Sequence, residues 1–258
     1  MKAPFKSLWG TLLLGLVLLV PAAAPAMGPV DLNAEVGYFG SYLWRGMNLM
    51  DNPVVQPEIS AGLGGFGLSL WGNLDADNAD GTSGFNEYDV TVSYGVGLPM
   101  ASVDLGLIYY SLPDASDANT AEAYASASAG VLFSPTLTVY RDVHQVDGWY
   151  WEAGVSHGLA LSPSAGLDLG ARVGLGSDRY LAGYFPGAVA KAETEGTTAS
   201  SLTDFALTVS APWHPVPLAT VTPSISWSTL LDDASLSVED AGGDTDAVVF
   251  GVTASVSF

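Results

Sequence analysis

The sequence EYDVTVSYGVGL, at residues 87–98, alternates between apolar and polar or small side chains. The even-numbered positions are mostly apolar and begin with Tyr88, Val90 and Val92, whereas the odd-numbered positions are polar or small and begin with Glu87. A period of two places the two sets on opposite faces of a β-strand, whereas a helical face repeats every 3.6 residues. The stretch therefore predicts a strand with one face in an apolar medium and one in water.

The same alternation recurs along the chain in segments of about ten residues, the length that crosses a bilayer as a tilted strand. Twelve strands are predicted, at residues 32–44, 55–63, 66–74, 87–98, 103–112, 121–132, 136–142, 149–160, 166–176, 202–211, 220–230 and 246–258. Short or proline-rich turns alternate with longer, acidic loops, so both termini fall on the periplasmic side. Bacterial single-chain barrels have even strand numbers. We therefore predict an all-β fold, a transmembrane antiparallel up-and-down β-barrel at residues 27–258.

Residues 1–26 are typical of a secretory signal peptide. Lys2 and Lys6 precede an apolar run at residues 8–20, and a small-residue cleavage site ends at Ala26. The chain has no cysteine, which excludes a lipoprotein anchor and disulfides. After the signal peptide, no apolar run approaches the roughly 20 residues of a helical membrane span. We expect export and insertion into the outer membrane of a Gram-negative bacterium.

The charge balance is strongly acidic, with 7 basic and 27 acidic residues and a net charge of −20. Such a surface repels nucleic acid. It favours cations, including divalent ions that bridge acidic outer loops to anionic lipopolysaccharide. No cofactor is predicted.

The period of two also assigns charged and polar side chains to the barrel interior. The predicted lumen-lining set is Arg45, Gln56, Glu58, Glu87, Asp89, Asp104, Glu122, Glu152, Asp168, Arg172 and Asp204, together with Glu35. Arg45 is expected near Gln56 and Glu58, where it either braces a hairpin or contacts a solute. Charged rings select ions by sign, so this set predicts a cation-preferring lumen. The alternative is that these groups are only the partly paired, wet side of a barrel.

Aromatic residues near the predicted strand ends indicate two girdles at the membrane surfaces. The predicted girdle contains Tyr42, Trp44, Trp149, Trp151, Trp213, Trp227 and Phe258. The last seven residues, VTASVSF, resemble the assembly signal of bacterial outer-membrane proteins. That resemblance implies recognition of the C-terminal strand by the barrel-assembly machinery.

Three other patterns resemble binding or catalytic sites but are better explained as ordinary loops, turns and surface residues. The acidic stretch at residues 75–87 resembles a calcium loop, but its glycine and glutamate are each displaced by one position. The glycine-rich residues 62–67 join two strands and open no helix, so they form a turn and no nucleotide site. His144, His157 and His214 lie apart from any serine with an orienting carboxylate, so we predict no enzyme.

The N-terminal part of the barrel resembles a known family. The segment SYLWRG at residues 41–46, NPVVQ at residues 52–56 and GLSLWGN at residues 67–73 are similar to the opening of the TorF-type porins of proteobacteria. The resemblance covers roughly residues 33–75 and implies an outer-membrane barrel that conducts solutes. The resemblance does not identify the solute that is conducted.

Two functions remain open at this stage. The first is a porin or narrow small-solute channel with an acidic lumen. The second is a closed, non-conducting barrel used for structure, adhesion or complex formation, because inward aromatic residues such as Tyr110, Tyr140 and Tyr150 could fill a small barrel. The pore radius, the solute, the oligomeric state and any inward-folded loop are not given by the sequence.

Overall fold

The computed structural model describes residues 30–77, 84–199 and 201–258. The signal peptide and its cleavage site lie outside the described residues and stay predictions. The strands are β1 (Asp31–Phe39), β2 (Tyr42–Trp44), β3 (Met47–Met50), β4 (Val54–Leu63), β5 (Phe66–Asp75), β6 (Phe85–Leu98), β7 (Ala101–Ser111), β8 (Thr120–Ala129), β9 (Thr136–Asp142), β10 (Trp149–Ser162), β11 (Ala165–Gly176), β12 (Leu202–Ser210), β13 (Trp213–Val216), β14 (Ala219–Leu230) and β15 (Asp246–Ser257). A 3-10 helix spans Pro113–Ala118, and the α-helices are α1 (Asp178–Tyr184), α2 (Pro186–Glu195) and α3 (Asp232–Asp240).

Twelve of the described strands form one closed antiparallel barrel, as predicted. The order around the barrel is β1, β4, β5, β6, β7, β8, β9, β10, β11, β12, β14 and β15. The barrel closes where β15 pairs with β1, from Asn33 opposite Ser257 to Phe39 opposite Gly251. Closure satisfies the backbone groups of both edge strands, which is what a sheet in hydrocarbon requires.

The outside of the barrel is apolar. Large apolar side chains are exposed along successive strands, including Leu68 on β5, Val92 on β6, Leu107 on β7 and Phe250 on β15. A soluble monomer rarely exposes continuous apolar area beyond a few hundred Å². An apolar belt on a closed barrel is instead the surface that lipid tails cover. Within the described residues, no helix has the length and hydropathy needed to cross a membrane.

The predicted first strand, at residues 32–44, is wrong in its second half. The strand ends at Phe39, because its neighbour β4 begins at Val54 directly opposite. Residues 42–50 instead form the separate two-stranded sheet of β2 and β3, which we call the inserted hairpin. Arg45 and Gly46 form its turn, with φ of 47° and 82°.

The outer loops at residues 177–201 and 231–245 carry helices that the strand pattern did not predict. Ser177 caps α1 by accepting a hydrogen bond from the Tyr180 amide, Pro186 occupies the first turn of α2, and Gly196 ends α2 in the left-handed region. Each is a standard signal for a helix end. At the opposite end of the barrel, the predicted turn at residues 212–219 contains the short strand β13.

Candidate functional site

The structure places the barrel members of the lumen-lining set on the parity opposite to the exposed apolar residues. These are Glu35, Gln56, Glu58, Glu87, Asp89, Asp104, Glu122, Glu152, Asp168, Arg172 and Asp204. Alternation along each strand accounts for this placement. Arg45 also faces the lumen, but from the inserted hairpin instead of a barrel strand.

The inserted hairpin lies inside the outer mouth of the barrel. Arg45 contacts Glu122 on β8, and a Cβ added to Gly46 would lie 2.5 Å from Asp204 Cβ on β12 and 2.8 Å from Leu230 Cδ2 on β14. Strands β8 and β14 stand five places apart in the ring of twelve. The hairpin turn therefore reaches across the lumen.

Arg45 and Glu122 form a buried ion pair at the centre of this site. Arg45 Nη1 and Nη2 donate to Glu122 Oε1 and Oε2 at 2.8 and 2.7 Å, and the two side chains are only 7% and 2% exposed. Tyr110 donates a further hydrogen bond to Glu122 Oε2 at 2.9 Å. The expected neighbours of Arg45 were Gln56 and Glu58. That expectation is wrong because β1 ends before Arg45, so the residue does not share a sheet face with β4.

Aromatic rings enclose the Arg45 guanidinium. Its Cζ lies 4.2 Å from the ring centroid of Tyr150, 4.4 Å from Trp44, 4.5 Å from Tyr140 and 5.8 Å from Tyr180. A cation over an aromatic face is attracted to the ring quadrupole, more strongly where water is excluded. We call Glu122, Tyr110, Tyr140, Tyr150 and Tyr180 the guanidinium cage.

Above the cage, the three helices close the outer mouth with a packed core. Tyr180, Leu181 and Phe185 of α1 and its C-terminus, Ala188 of α2 and Ala234 of α3 are buried with Tyr150 and Leu230 of the barrel wall. Burial raises the pKa of Tyr180, and it raises the pKa of Tyr184 to about 12 together with the nearby negative charge of Glu122. These hydroxyls therefore stay protonated at neutral pH, and carboxylates alone balance the charge of Arg45.

A second ion cluster lies beside the cage, on the barrel wall. Arg172 Nη1 lies 2.5 Å from Asp204 Oδ2 and 3.3 Å from Glu152 Oε2. Asp204 is fully buried and also accepts hydrogen bonds from Tyr150 and Thr203. Both inward arginines of the described lumen are thus paired with carboxylates.

Several lumenal carboxylates have no arginine partner among the residues that the structure describes. Glu35 and Glu58 stand directly opposite each other on β1 and β4, and Asp104 accepts a hydrogen bond from Tyr124. Asp89 has a buried carboxylate oxygen without a hydrogen-bond partner among the described residues. The lumen-lining set contains nine carboxylates and two arginines.

The inner half of the lumen is lined by small side chains. A cavity of about 460 Å³ opens there. Its polar lining includes Asp31, Asn33, Ser60, Ser69, Ser93 and Ser257. This cavity therefore lies at the inner end of the barrel, away from the inserted hairpin and the helices.

The predicted girdle is divided between the two sides of the wall. Trp149 and Trp151 stack at 6.3 Å on β10, and Trp213, Trp227 and Phe258 are exposed. Tyr42 and Trp44, by contrast, lie on the inserted hairpin, against Trp71 at 5.7 Å and Tyr110 at 6.4 Å. They do not form part of an outer girdle, for the same reason that Arg45 does not lie on β1.

The histidines have only local partners. His144 lies 3.1 Å from the Asn119 carbonyl, His214 lies 2.9 Å from Thr220 Oγ1, and His157 packs on Phe133. Among the described residues, no group of three or more His, Asp or Glu is arranged to hold a metal ion. Divalent cations at the outer loops and contacts with lipopolysaccharide stay predictions.

A family profile described as "Bacterial protein of unknown function (Gcw_chp)" matches residues 23–213, which is about three quarters of the chain. The chain belongs to the Gcw_chp family. The match does not test the resemblance to TorF-type porins, which stays a prediction. Among curated protein sequences, none matches this Gcw_chp member.

Solved structures that resemble this chain include porins. The KdgM porin has a TM-score of 0.52 at 13% identity, over 88% of this chain and 99% of its own. The KdgM porin in complex with disordered oligogalacturonate gives 0.51 at 13%, over 88% and 99%, and the NanC porin gives 0.50 at 13%, over 87% and 98%. At this identity the likeness establishes the fold, that of a twelve-strand porin barrel. With its apolar belt, this Gcw_chp barrel is a protein of the bacterial outer membrane.

Proposed function

We propose that this protein is an outer-membrane porin for small cations and neutral polar solutes, with an outer mouth that a displaceable plug closes. The observation that carries the proposal is the lumen itself, which is polar, rich in carboxylates and blocked by a segment that is not part of the barrel wall. The plug consists of the inserted hairpin, which is its displaceable part, and helices α1 to α3, which stay packed against the barrel wall.

The preference for cations follows from the balance of lumenal charge. Arg45 and Arg172 are each held by carboxylates, so neither offers a free positive site to an anion. Glu35 and Glu58 face the lumen without an arginine partner in the described structure. In a confined, low-dielectric passage, fixed charges of one sign attract counter-ions and repel co-ions.

The hairpin can leave without damage to the barrel. Strands β2 and β3 pair with each other, and among the described strands neither pairs with the barrel sheet. A two-stranded hairpin is marginally stable alone, so its position depends on side-chain contacts, chiefly those of Arg45. Displacing it would break no hydrogen bond of the twelve-strand ladder.

A second function is favoured by the buried core of the plug. Tyr180, Leu181, Phe185 and Ala234 are almost fully buried, which is unusual for loops that only line a pore. A permanently packed mouth would make the protein a closed scaffold whose outer helices bind a partner.

Conductance in planar bilayers separates the two functions. The experiment compares three refolded proteins under a KCl gradient: the unmodified protein, Arg45→Ala and the control Arg141→Ala. Arg141 is a suitable control because its guanidinium pairs with Asp147 at the outer rim. We expect Arg45→Ala to raise conductance and to give a reversal potential of the cation-selective sign, with Arg141→Ala unchanged. No ion flow in any of the three would favour the closed scaffold, and an anion-selective potential would refute the cation preference.

A further inference from the structure

The contacts of Arg45 are those of a bound ligand more than those of a structural brace. Its guanidinium makes two parallel hydrogen bonds to Glu122, at 2.7 and 2.8 Å, and lies over three aromatic rings at 4.2 to 4.5 Å. The residue reaches this position from a hairpin turn at φ of 47°, a region that a non-glycine residue occupies at a cost. The site thus holds Arg45 despite an unfavourable backbone.

We propose that the guanidinium cage is a binding site for guanidinium-bearing solutes, and that Arg45 occupies it as a tethered competitor. The proposal rests on the porin function above and names the solute class that the porin would admit. A free solute of this class would take the place of Arg45 and release the inserted hairpin.

The cage belongs to the wall and the helices, so it persists when the hairpin leaves. Glu122 lies on β8, Tyr110 on β7, Tyr140 on β9, Tyr150 on β10 and Tyr180 on α1. Of the four rings around the guanidinium, Trp44 alone comes from the hairpin. Tyr110 holds Glu122 in place through its hydroxyl. Withdrawal of Arg45 would therefore leave a preformed acidic pocket with aromatic walls.

The geometry favours a guanidinium over an ammonium ion or an anion. A planar fork matches both carboxylate oxygens at once, and a flat, delocalised cation stacks on aromatic faces, whereas an ammonium group is a strongly hydrated point charge. Tyr180 is 1% exposed and its ring lies 5.8 Å from the Arg45 Cζ, so it closes one side of the cage to water. The Glu122 carboxylate disfavours a ligand that carries its own carboxylate at the guanidinium.

Agmatine is a suitable probe, because it joins a guanidinium to a second positive charge and has no carboxylate. Carbamoylputrescine, in which a neutral urea replaces the guanidinium, is the control for the charged fork. Putrescine keeps both charges but lacks the fork. Tethering gives Arg45 an effective concentration of the order of millimolar or higher, so agmatine should bind the unmodified protein weakly.

Titration calorimetry on the refolded full chain tests the proposal. We expect agmatine to bind Arg45→Ala at least about tenfold more tightly than it binds the unmodified protein, and about tenfold more tightly than carbamoylputrescine or putrescine bind the same variant. Arg45→Met, which keeps an apolar stem in the cage, should behave alike, and Arg141→Ala should behave as the unmodified protein. Adding Glu122→Gln to Arg45→Ala should abolish the gain.

Equal binding of agmatine and carbamoylputrescine, or no gain in either Arg45 variant, would overturn the proposal. If the variants refold poorly, agmatine present during refolding should restore the yield and carbamoylputrescine should not; absence of rescue also counts against the cage. Agmatine binding without ion flow would leave the site intact and refute the porin. Ion flow without agmatine binding would support the porin and refute the guanidinium site.

Discussion

The substitution Gly46→Ala should open the channel without removing any charged group. Gly46 follows Arg45 in the turn of the inserted hairpin and has a φ of 82°. An alanine Cβ there would lie 2.5 Å from Asp204 Cβ and 2.8 Å from Leu230 Cδ2, both on the barrel wall. Contacts under 3 Å between carbon atoms force a neighbour to move, and neither strand can shift without disturbing the barrel.

The size of the effect follows from two costs. A non-glycine residue in the left-handed region costs about 1–2 kcal/mol. Overpacking a filled site costs typically about 1–3 kcal/mol. Displacing the hairpin relieves the collision, whereas the backbone cost stays with the turn, so the plugged state should lose about 2 kcal/mol relative to the open state. Since about 1.4 kcal/mol corresponds to a factor of ten, the ratio of plugged to open barrels should fall roughly 30-fold.

Single-channel recordings in planar bilayers measure this ratio as the open probability. The matched control is Gly64→Ala at the β4–β5 turn, which has a φ of 57° and no atom within 4 Å of the added Cβ. It carries the backbone cost without the collision and lies far from the plug. Gly46→Ala with an open probability equal to that of Gly64→Ala would refute the reasoning.

Three further outcomes concern the wall of the barrel. Arg172→Ala leaves Asp204 buried without its cation, and should lower the free energy of unfolding in lipid vesicles by about 3–5 kcal/mol; a loss under about 1 kcal/mol would contradict the assigned pair. Leu107→Arg places a charge on the lipid face, where the residue is 57% exposed, and should cost about 2–4 kcal/mol in the same assay, whereas Ser126→Arg on the lumenal face should cost less. Deletion of Phe258 should reduce assembly in cells but leave refolding in detergent unchanged, and normal cellular assembly would argue against a C-terminal signal.

The barrel was predictable because a strand between lipid and water must alternate. Eleven of the twelve predicted strands match observed strands within about three residues at each end. The exception, the strand predicted at residues 32–44, shows that the alternation of side chains does not mark where a strand ends. Tyr42 and Trp44 continue the parity of β1, but the chain leaves the sheet after Phe39 because β4 offers no partner beyond Val54. The end of a strand depends on its neighbours, which the period of two does not encode.

Only part of the guanidinium cage could be predicted from the sequence. Parity pointed Glu122, Tyr140 and Tyr150 inward, and Arg45 was singled out as lumenal. Its partner was missed, because Arg45 and Glu122 are 77 positions apart and meet through the inserted hairpin. Tyr180 was assigned to an outer loop. The helix-end residues around it carried a local signal, but no sequence pattern indicated that the helix packs down into the mouth.

The plug draws its parts from distant stretches of the chain, and this sets the order in which the protein can be completed. The inserted hairpin comes from near the N-terminus, α1 and α2 from the β11–β12 connection, and α3 from the connection between the last two barrel strands. Because Ala234 of α3 joins the buried core, the stopper is unfinished until β14 and β15 are in place. The buried core of the stopper can therefore be complete only once the chain beyond β14 has folded, so full sealing requires the last strands of the barrel.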